Sequence, residues 1–307
     1  MGKKIVKLLI IAFVVACTYT NVLADDEIVS LITYDMQNDV WSEDFVKDGF
    51  EETVSPPEND SKVETFSIFG EDERIKIGDT TKAPYSYIGS IITLNQAEIP
   101  ISEGTAWLVG DSLAITAAHN VYNTKNQPKE IIFTLGENGG KSPYGDIKVT
   151  KWHIPQQFIE QKKKEPQKTY PKYDYAILEL DKPIGKKNGY FSVENTFTVF
   201  DVADNFDIYE NEHTVKIAGY PSDHAIVYSH YMYASKGKSY FDGSDYVLYY
   251  KIDTFSGESG APVFYKSGNK YYALGIHLYG KSEKNGVEWN RGRRITKGIV
   301  QAVNKYK

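Results

Sequence analysis

Cysteine is all but missing from this chain. Cys17 is its one thiol, and it sits in an N-terminal stretch that reads as removable. Beyond that stretch the chain can form no disulfide and offers no cysteine nucleophile or thiolate metal site. A basic excess is missing too, with 35 Lys and Arg against 41 Asp and Glu, so no patch suggests nucleic acid. No His-x-x-x-His pair and no carboxylate loop of calcium type stands out, and neither a metal nor a cofactor is expected. Long apolar runs are lacking as well. Leu8 to Ala16 is apolar but too short to span a bilayer, and no stable membrane association is expected.

That short run has the form of a secretion signal. Lys3, Lys4 and Lys7 precede it, and Val22-Leu23-Ala24 resembles a small-residue cleavage site before Asp25. Residues 1–24 are therefore read as a signal peptide and the protein as secreted and extracellular. The alternative is Val14-Val15-Ala16-Cys17, which loosely resembles a lipoprotein cleavage box and would anchor the chain through Cys17.

Residues 25–66 carry 13 Asp or Glu against Lys47 and Lys62, and contain Pro56-Pro57-Glu58-Asn59-Asp60. Such a stretch builds a poor core and reads as solvated and largely disordered. In a secreted protein it fits a propeptide, an acidic tail or a linker, and we take 25–66 as an acidic propeptide. From Ser67 onward 28 acidic side chains face 30 basic ones, so the overall charge belongs to the leader.

Residues 67–307 are rich in Tyr, Ile, Val, Thr and Gly. Short apolar runs recur between turn residues, among them 86–93, 104–109, 113–116, 130–135, 176–180, 214–220, 247–252 and 270–275. This spacing predicts an all-β sandwich or barrel. Ile295, Ile299, Val300 and Val303 share one face of a C-terminal helix. Lys162 to Lys172 reads as a surface loop, and Arg291, Arg293 and Arg294 as a solvated basic turn.

The chemistry centres on Ser256-Gly257-Glu258-Ser259-Gly260. Flanking glycines let backbone approach a substrate and let N–H groups point at a developing oxyanion. The same composition also suits an ordinary turn between strands. A serine nucleophile needs a base, and the base needs an orienting group. His119 follows an apolar strand and two alanines, and Asp174 stands at the mouth of another apolar strand. Each alone fits a packing or turn residue. Together, in the order His, Asp, Ser, they match a protease triad.

Three blocks together resemble the bacterial glutamyl endopeptidase family of serine proteases, related to the staphylococcal exfoliative toxins. They are Thr105-Ala106-Trp107-Leu108-Val109 with Ile115-Thr116-Ala117-Ala118-His119; Tyr173-Asp174-Tyr175-Ala176-Ile177-Leu178; and Ser256 to Val263. The resemblance covers about residues 67–305. It implies a chymotrypsin-like fold of two six-stranded β-barrels with a C-terminal helix, here one protease domain over 67–307. It implies His119 as base, Asp174 as its orienter and Ser259 as nucleophile, with the N–H groups of Gly257 and Ser259 as oxyanion hole. It places Thr254 and His277 in the pocket for the substrate's acidic side chain. It also makes the α-amino group of a mature terminus, at or near Ser67, a further donor in that pocket.

The expected activity is hydrolysis of protein or peptide substrates after Glu, less often Asp, by a monomeric enzyme made as a zymogen. Two alternatives stay open: a protease of other or narrow, exfoliative-toxin-like specificity, and an inactive secreted binding protein. The chain departs from the family at Asn120, where disulfide-bearing relatives have Cys. It also departs at Glu258, where the family often has a small polar residue; a carboxylate beside the oxyanion hole is expected to repel a substrate Glu or to alter turnover, and the sequence does not place it.

Overall fold

The computed structural model describes residues 27–48, 67–125, 128–193, 200–202, 209–211, 214–225, 229–241, 246–284 and 287–307. The expected signal peptide, both cleavage boxes and Cys17 lie outside them.

In chain order the strands begin β1 (Glu27–Asp35), β2 (Val40–Asp48), β3 (Ile75–Lys76), β4 (Ile88–Leu94), β5 (Pro100–Leu108), β6 (Leu113–Thr116), β7 (Glu130–Leu135), β8 (Asp146–Pro155), β9 (Ala176–Leu180) and β10 (Ser192–Val193). They continue with β11 (Phe200–Val202), β12 (Tyr209–Asn211), β13 (Val215–Gly219), β14 (Tyr233–Gly237), β15 (Ser239–Phe241), β16 (Val247–Tyr250), β17 (Pro262–Ser267), β18 (Lys270–Lys284) and β19 (Val287–Arg294). Helices are α1 (Gln156–Lys164), the single turn α2 (Gly185–Asn188) and the C-terminal α3 (Lys297–Tyr306).

The first sheet runs β8-β7-β4-β5-β6-β9, and β9 pairs back onto β8. Six strands thereby close into a barrel, which removes every sheet edge but the spare length of β8. The second sheet runs β11-β12-β15-β16-β19-β18-β17-β13-β14-β3. With α3 this is the all-β, two-part architecture that the resemblance implies. Sequence alternation explains the strands: β7, Glu-Ile-Ile-Phe-Thr-Leu, buries every second residue and shows the others outward. β6, Leu-Ala-Ile-Thr, is buried throughout. Its alternate side chains serve two cores, Ala114 inside the barrel and Ile115 in the seam cluster with Trp107, Phe191, Phe264 and Ile276.

Three expectations are corrected. The leader is not a disordered tail over Glu27–Asp48: it forms the hairpin β1–β2, with nine residues of each strand in antiparallel register. Its acidic side chains obscure a strand pattern, since Val29, Leu31 and Val46 join the seam core. The Lys-rich segment is partly helical: α1 reaches Lys164, and Tyr170 and Pro171 beyond it are buried. Arg293 and Arg294 are not a solvated turn. Both are buried at the end of β19, where Arg293 meets Asp48 of the leader at 2.9 Å and Arg294 lies over the Phe241 ring.

A buried charge that loses its partner stays desolvated without compensation. Asp48→Ala is therefore expected to lower unfolding stability by about 3–5 kcal/mol. Urea unfolding of the uncut chain checks this, and an unchanged midpoint would contradict it.

Candidate active site

β6 and β9 are neighbours in the barrel, with Thr116 opposite Ala176. The chain just after β6 and the chain just before β9 therefore leave the sheet at the same end. The first carries His119 in a 3-10 turn over Ala118–Asn120, and the second carries Asp174 after a 3-10 turn over Pro171–Tyr173. The topology thus delivers the two side chains to each other. Asp174 is fully buried, and its Oδ2 lies 2.8 Å from His119 Nδ1. Its Oδ1 accepts the His119 backbone N–H at 3.0 Å.

Tyr279 adds a third donor, with its hydroxyl on Asp174 Oδ2 and its ring stacked on the His119 imidazole. Burial alone would raise the Asp174 pKa. The His119 charge and the hydrogen bonds from His119 and Tyr279 outweigh it and hold the carboxyl below its ordinary range. A carboxylate fixed at both oxygens sets the imidazole's orientation and keeps a proton on Nδ1. That leaves Nε2 with the free lone pair.

Ser259 stands in the turn before β17. Ser259 Oγ donates to the Leu278 carbonyl at 3.2 Å. Hydrogen bonds from Thr105, Trp107 and Asn120 tie this turn to the barrel. The Thr105 N–H donates to the Ser259 carbonyl at 2.9 Å, the Asn120 amide donates to the same carbonyl at 2.8 Å, and the Trp107 indole donates to the Gly260 carbonyl at 2.9 Å. Asn120, next to His119, also donates to Thr116 Oγ1 at 2.9 Å.

The peptide planes of the turn are set in turn. The Ser256 carbonyl accepts the Ser222 N–H at 2.7 Å, and the Glu258 carbonyl accepts the Ala261 N–H at 2.9 Å. In a trans peptide N–H and C=O point opposite ways. The N–H groups of Gly257 and Ser259 therefore point away from those partners, and among the described residues neither meets an acceptor. Two free N–H groups beside a serine hydroxyl suit a developing oxyanion. Gly257 is required here: φ is +94°, and a Cβ would stand 2.4 Å from the Tyr220 carbonyl.

Glu258 is turned into the protein interior, which speaks against the expected repulsion. It is buried, and its Oε2 accepts the Phe255 N–H at 2.7 Å. Burial pushes its carboxyl up to about 8, against the Phe255 hydrogen bond and the charge of Arg74, which lower it, while Asp223 and Asp72 add to the rise. Near neutral pH it is mostly uncharged.

Thr254 and His277 are both buried. Tyr250 and Asn290, directly paired across β16 and β19, reach them. Asn290 Nδ2 donates to Thr254 Oγ1 at 2.9 Å, and the Tyr250 hydroxyl lies 2.7 Å from His277 Nδ1. Burial, then the nearby charge of His119, lower the His277 pKa to about 3, so its ring is neutral. Burial raises the Tyr250 pKa well above 10, so its hydroxyl keeps its proton. Where the Tyr250 hydroxyl donates to Nδ1, the His277 proton sits on Nε2 and that N–H is left as a donor. The Ser67 N–H donates to the Thr254 carbonyl at 3.1 Å and Thr254 returns the bond at 3.0 Å. Asp253 holds the same segment through the N–H groups of Phe69 and Glu73, each at 2.8 Å.

Sequence reasoning missed Tyr279, Tyr250, Asn290 and the linking role of Asn120. Tyr279 had a usable signal, two residues after His277 on one strand. Tyr250 and Asn290 had none, since their partners are distant in sequence.

A closed barrel and a second sheet, joined at a seam that carries a paired His and Asp beside a glycine-flanked Ser, define a chymotrypsin-like serine protease fold. The trypsin family pattern matches residues 92–296, and the chain belongs to that family. It is 29% identical over 246 residues to the glutamyl endopeptidase of Bacillus licheniformis, covering 78% of this chain and 69% of that protein. It is 26% identical over 240 residues to a Bacillus subtilis (strain 168) protein named extracellular metalloprotease, covering 77% and 68% respectively. Among solved structures, a Glu endopeptidase matches 78% of this chain and 99% of its own at 27% identity and a TM-score of 0.61. The chain is thus a serine endopeptidase homologous to glutamyl endopeptidase.

A glutamate buried with a raised pKa stabilises the fold fully below its unfolded value of 4.5, and that contribution is lost as pH rises through about 8. Glu258→Gln, which cannot ionise, is expected to flatten the fall in thermal stability over this window and to exceed the parent at pH 8. Thermal melts of both proteins from pH 5 to 9 check this. Parallel profiles would contradict it.

Proposed function

We propose that the protein is a secreted endopeptidase that cleaves after Glu, using His119, Asp174 and Ser259 as its triad. The observation that carries this reading is the buried Asp174, fixed at both oxygens and facing His119 Nδ1 at 2.8 Å, with Asn120, the residue after His119, holding the Ser259 carbonyl. In the reaction Ser259 Oγ leaves the Leu278 carbonyl and gives its proton to His119 Nε2 as it bonds to the substrate carbonyl carbon. The N–H groups of Gly257 and Ser259 take the negative oxygen. The tetrahedral adduct collapses, the C–N bond breaks, and His119 returns the proton to the leaving amine. Water then repeats the sequence on the acyl-enzyme, with His119 as base. Among the described residues no three His, Cys, Asp or Glu side chains converge as metal ligands.

The preference for Glu rests on the homology to glutamyl endopeptidase and on the chemistry of Thr254 and His277. A carboxylate entering a pocket must exchange its water for hydrogen-bond donors. The Thr254 hydroxyl accepts from Asn290 and keeps its own proton to donate, and neutral His277 offers its Nε2 N–H. A cut before Ser67 turns the N–H that faces the Thr254 carbonyl into a charged amine beside the pocket wall. This gives the leader the role of a propeptide and Ser67 that of a third donor.

Ser259→Ala is expected to abolish labelling by a serine-directed fluorophosphonate and to reduce kcat by roughly a millionfold. Both are read on processed enzyme with a Glu-containing peptide. Undiminished labelling of the variant would defeat the assignment.

A further inference from the structure

The leader is a propeptide by position, yet its hairpin is built into the fold. β1 lies along the length of β8 that the barrel leaves open, pairing Leu31 to Asp35 with Pro155 to Lys151. Without it that length of β8 presents unpaired backbone to solvent. Thr33 reaches the buried His153 at 2.7 Å. The far end of the hairpin is held more firmly. Asp48 and Arg293 are both buried and pair at 2.9 Å, and Asp48 also accepts the Gly298 N–H at 3.0 Å and the Thr296 hydroxyl at 3.1 Å. It thereby caps the start of α3, whose own N-cap residue Thr296 makes no side-chain cap. Gly298 makes room for it, since a Cβ there would stand 2.5 Å from Asp48 Cβ.

Other bonds spread the attachment over both halves of the protease. Glu27 accepts the hydroxyl of Tyr173 at 2.8 Å, next to Asp174, and that of Tyr246 at 3.3 Å, and it pairs with Lys172 at 2.7 Å. Asp44 pairs with Lys305 of α3 at 2.6 Å. The hairpin thus joins the barrel, the loop before Asp174, the second sheet and the C-terminal helix.

The site of the cut stands apart from these bonds. The hydrogen bonds of Ser67 among the described residues go to Thr254 and Lys281, and neither is a hydrogen-bond partner of the hairpin. Cleavage before Ser67 therefore breaks no bond that holds the hairpin. The hairpin's side-chain hydrogen bonds and ion pairs named above go to His153, Tyr173, Lys172, Tyr246, Arg293, Thr296 and Lys305, not to His119, Ser259, Thr254 or His277.

We propose that the hairpin Glu27–Asp48 stays seated on the protease body after the leader is cut, as a second, non-covalent piece of the active enzyme. The partner surface is the free edge of β8, the start of α3 and buried Arg293. This rests on the reading that the chain is cut before Ser67, but the two can fail separately. N-terminal sequencing of secreted active enzyme tests the cut alone. An enzyme cut elsewhere within 49–66 with the hairpin attached sinks Ser67 and supports the retained hairpin.

The test uses the full chain carrying Ser259→Ala, to prevent self-digestion, with a recognition site for a sequence-specific processing protease placed between residues 52 and 60. After cutting, gel filtration and native mass spectrometry are expected to find one hairpin per body, released only in denaturant. A folded body eluting free of its hairpin would overturn the proposal. Asp48→Asn in the same cut chain is expected to speed hairpin loss, measured as the fraction retained after dilution. Retention equal to the parent would overturn the assignment of Asp48 and Arg293 as the anchor.

Discussion

One carboxylate constrains the rest of this molecule. Asp174 has no exposed surface, and a buried carboxylate is tolerated only where charge and hydrogen bonds replace its water. His119 supplies a backbone N–H and the ring, and Tyr279 a hydroxyl. The donors come from two stretches of the fold and the acid from a third, so satisfying Asp174 fixes the end of β6, the start of β9 and the middle of β18 against one another. The same requirement orients the imidazole. Structural need and catalytic geometry are met by the same contacts.

The seam between the two sheets must hold without a disulfide. Asn120 and Thr105 do this with hydrogen bonds. The Asn120 amide spans from Thr116 to the Ser259 carbonyl, so the residue beside His119 grips the residue proposed as nucleophile. Thr105 Oγ1 donates to the Gly257 carbonyl at 3.0 Å and accepts the Tyr220 N–H at 3.1 Å. Such bonds are strengthened where the seam is buried, and for the same reason a missing partner there would be costly. Glu258 extends this pattern. Its carboxyl, mostly neutral near pH 7, is set into the fold as a hydrogen-bonding group behind the turn.

The strands of the barrel were legible as short apolar runs bounded by turn residues, and the C-terminal helix because one apolar face repeats. The triad candidates were legible because each sits at the end of a clear apolar run. The leader hairpin was hidden by composition. Its acids lower the apparent hydrophobicity of β1 and β2, and its buried acid, Asp48, is neutralised by an arginine 245 residues away. Arg293 and Arg294 misled for the same reason. A charge cluster reads as a solvated turn unless its distant partner is known. Glu258 could not be placed, because spacing alone does not say which side of a turn a side chain takes.

The proposed specificity comes down to what stands in for water around a substrate carboxylate. His277 is neutral, with the Tyr250 hydroxyl on its Nδ1. Thr254 is held by Asn290, with Ser67 on its backbone. These groups are fixed before substrate arrives, which lowers the entropy lost on binding. The most direct test is kcat/KM of processed enzyme on two peptides that differ only in Glu or Gln before the scissile bond. A site with several fixed donors, one of them a charged amine, favours Glu by about a hundredfold. Equal values for Glu and Gln, or faster cleavage after Lys or Phe, would contradict the account.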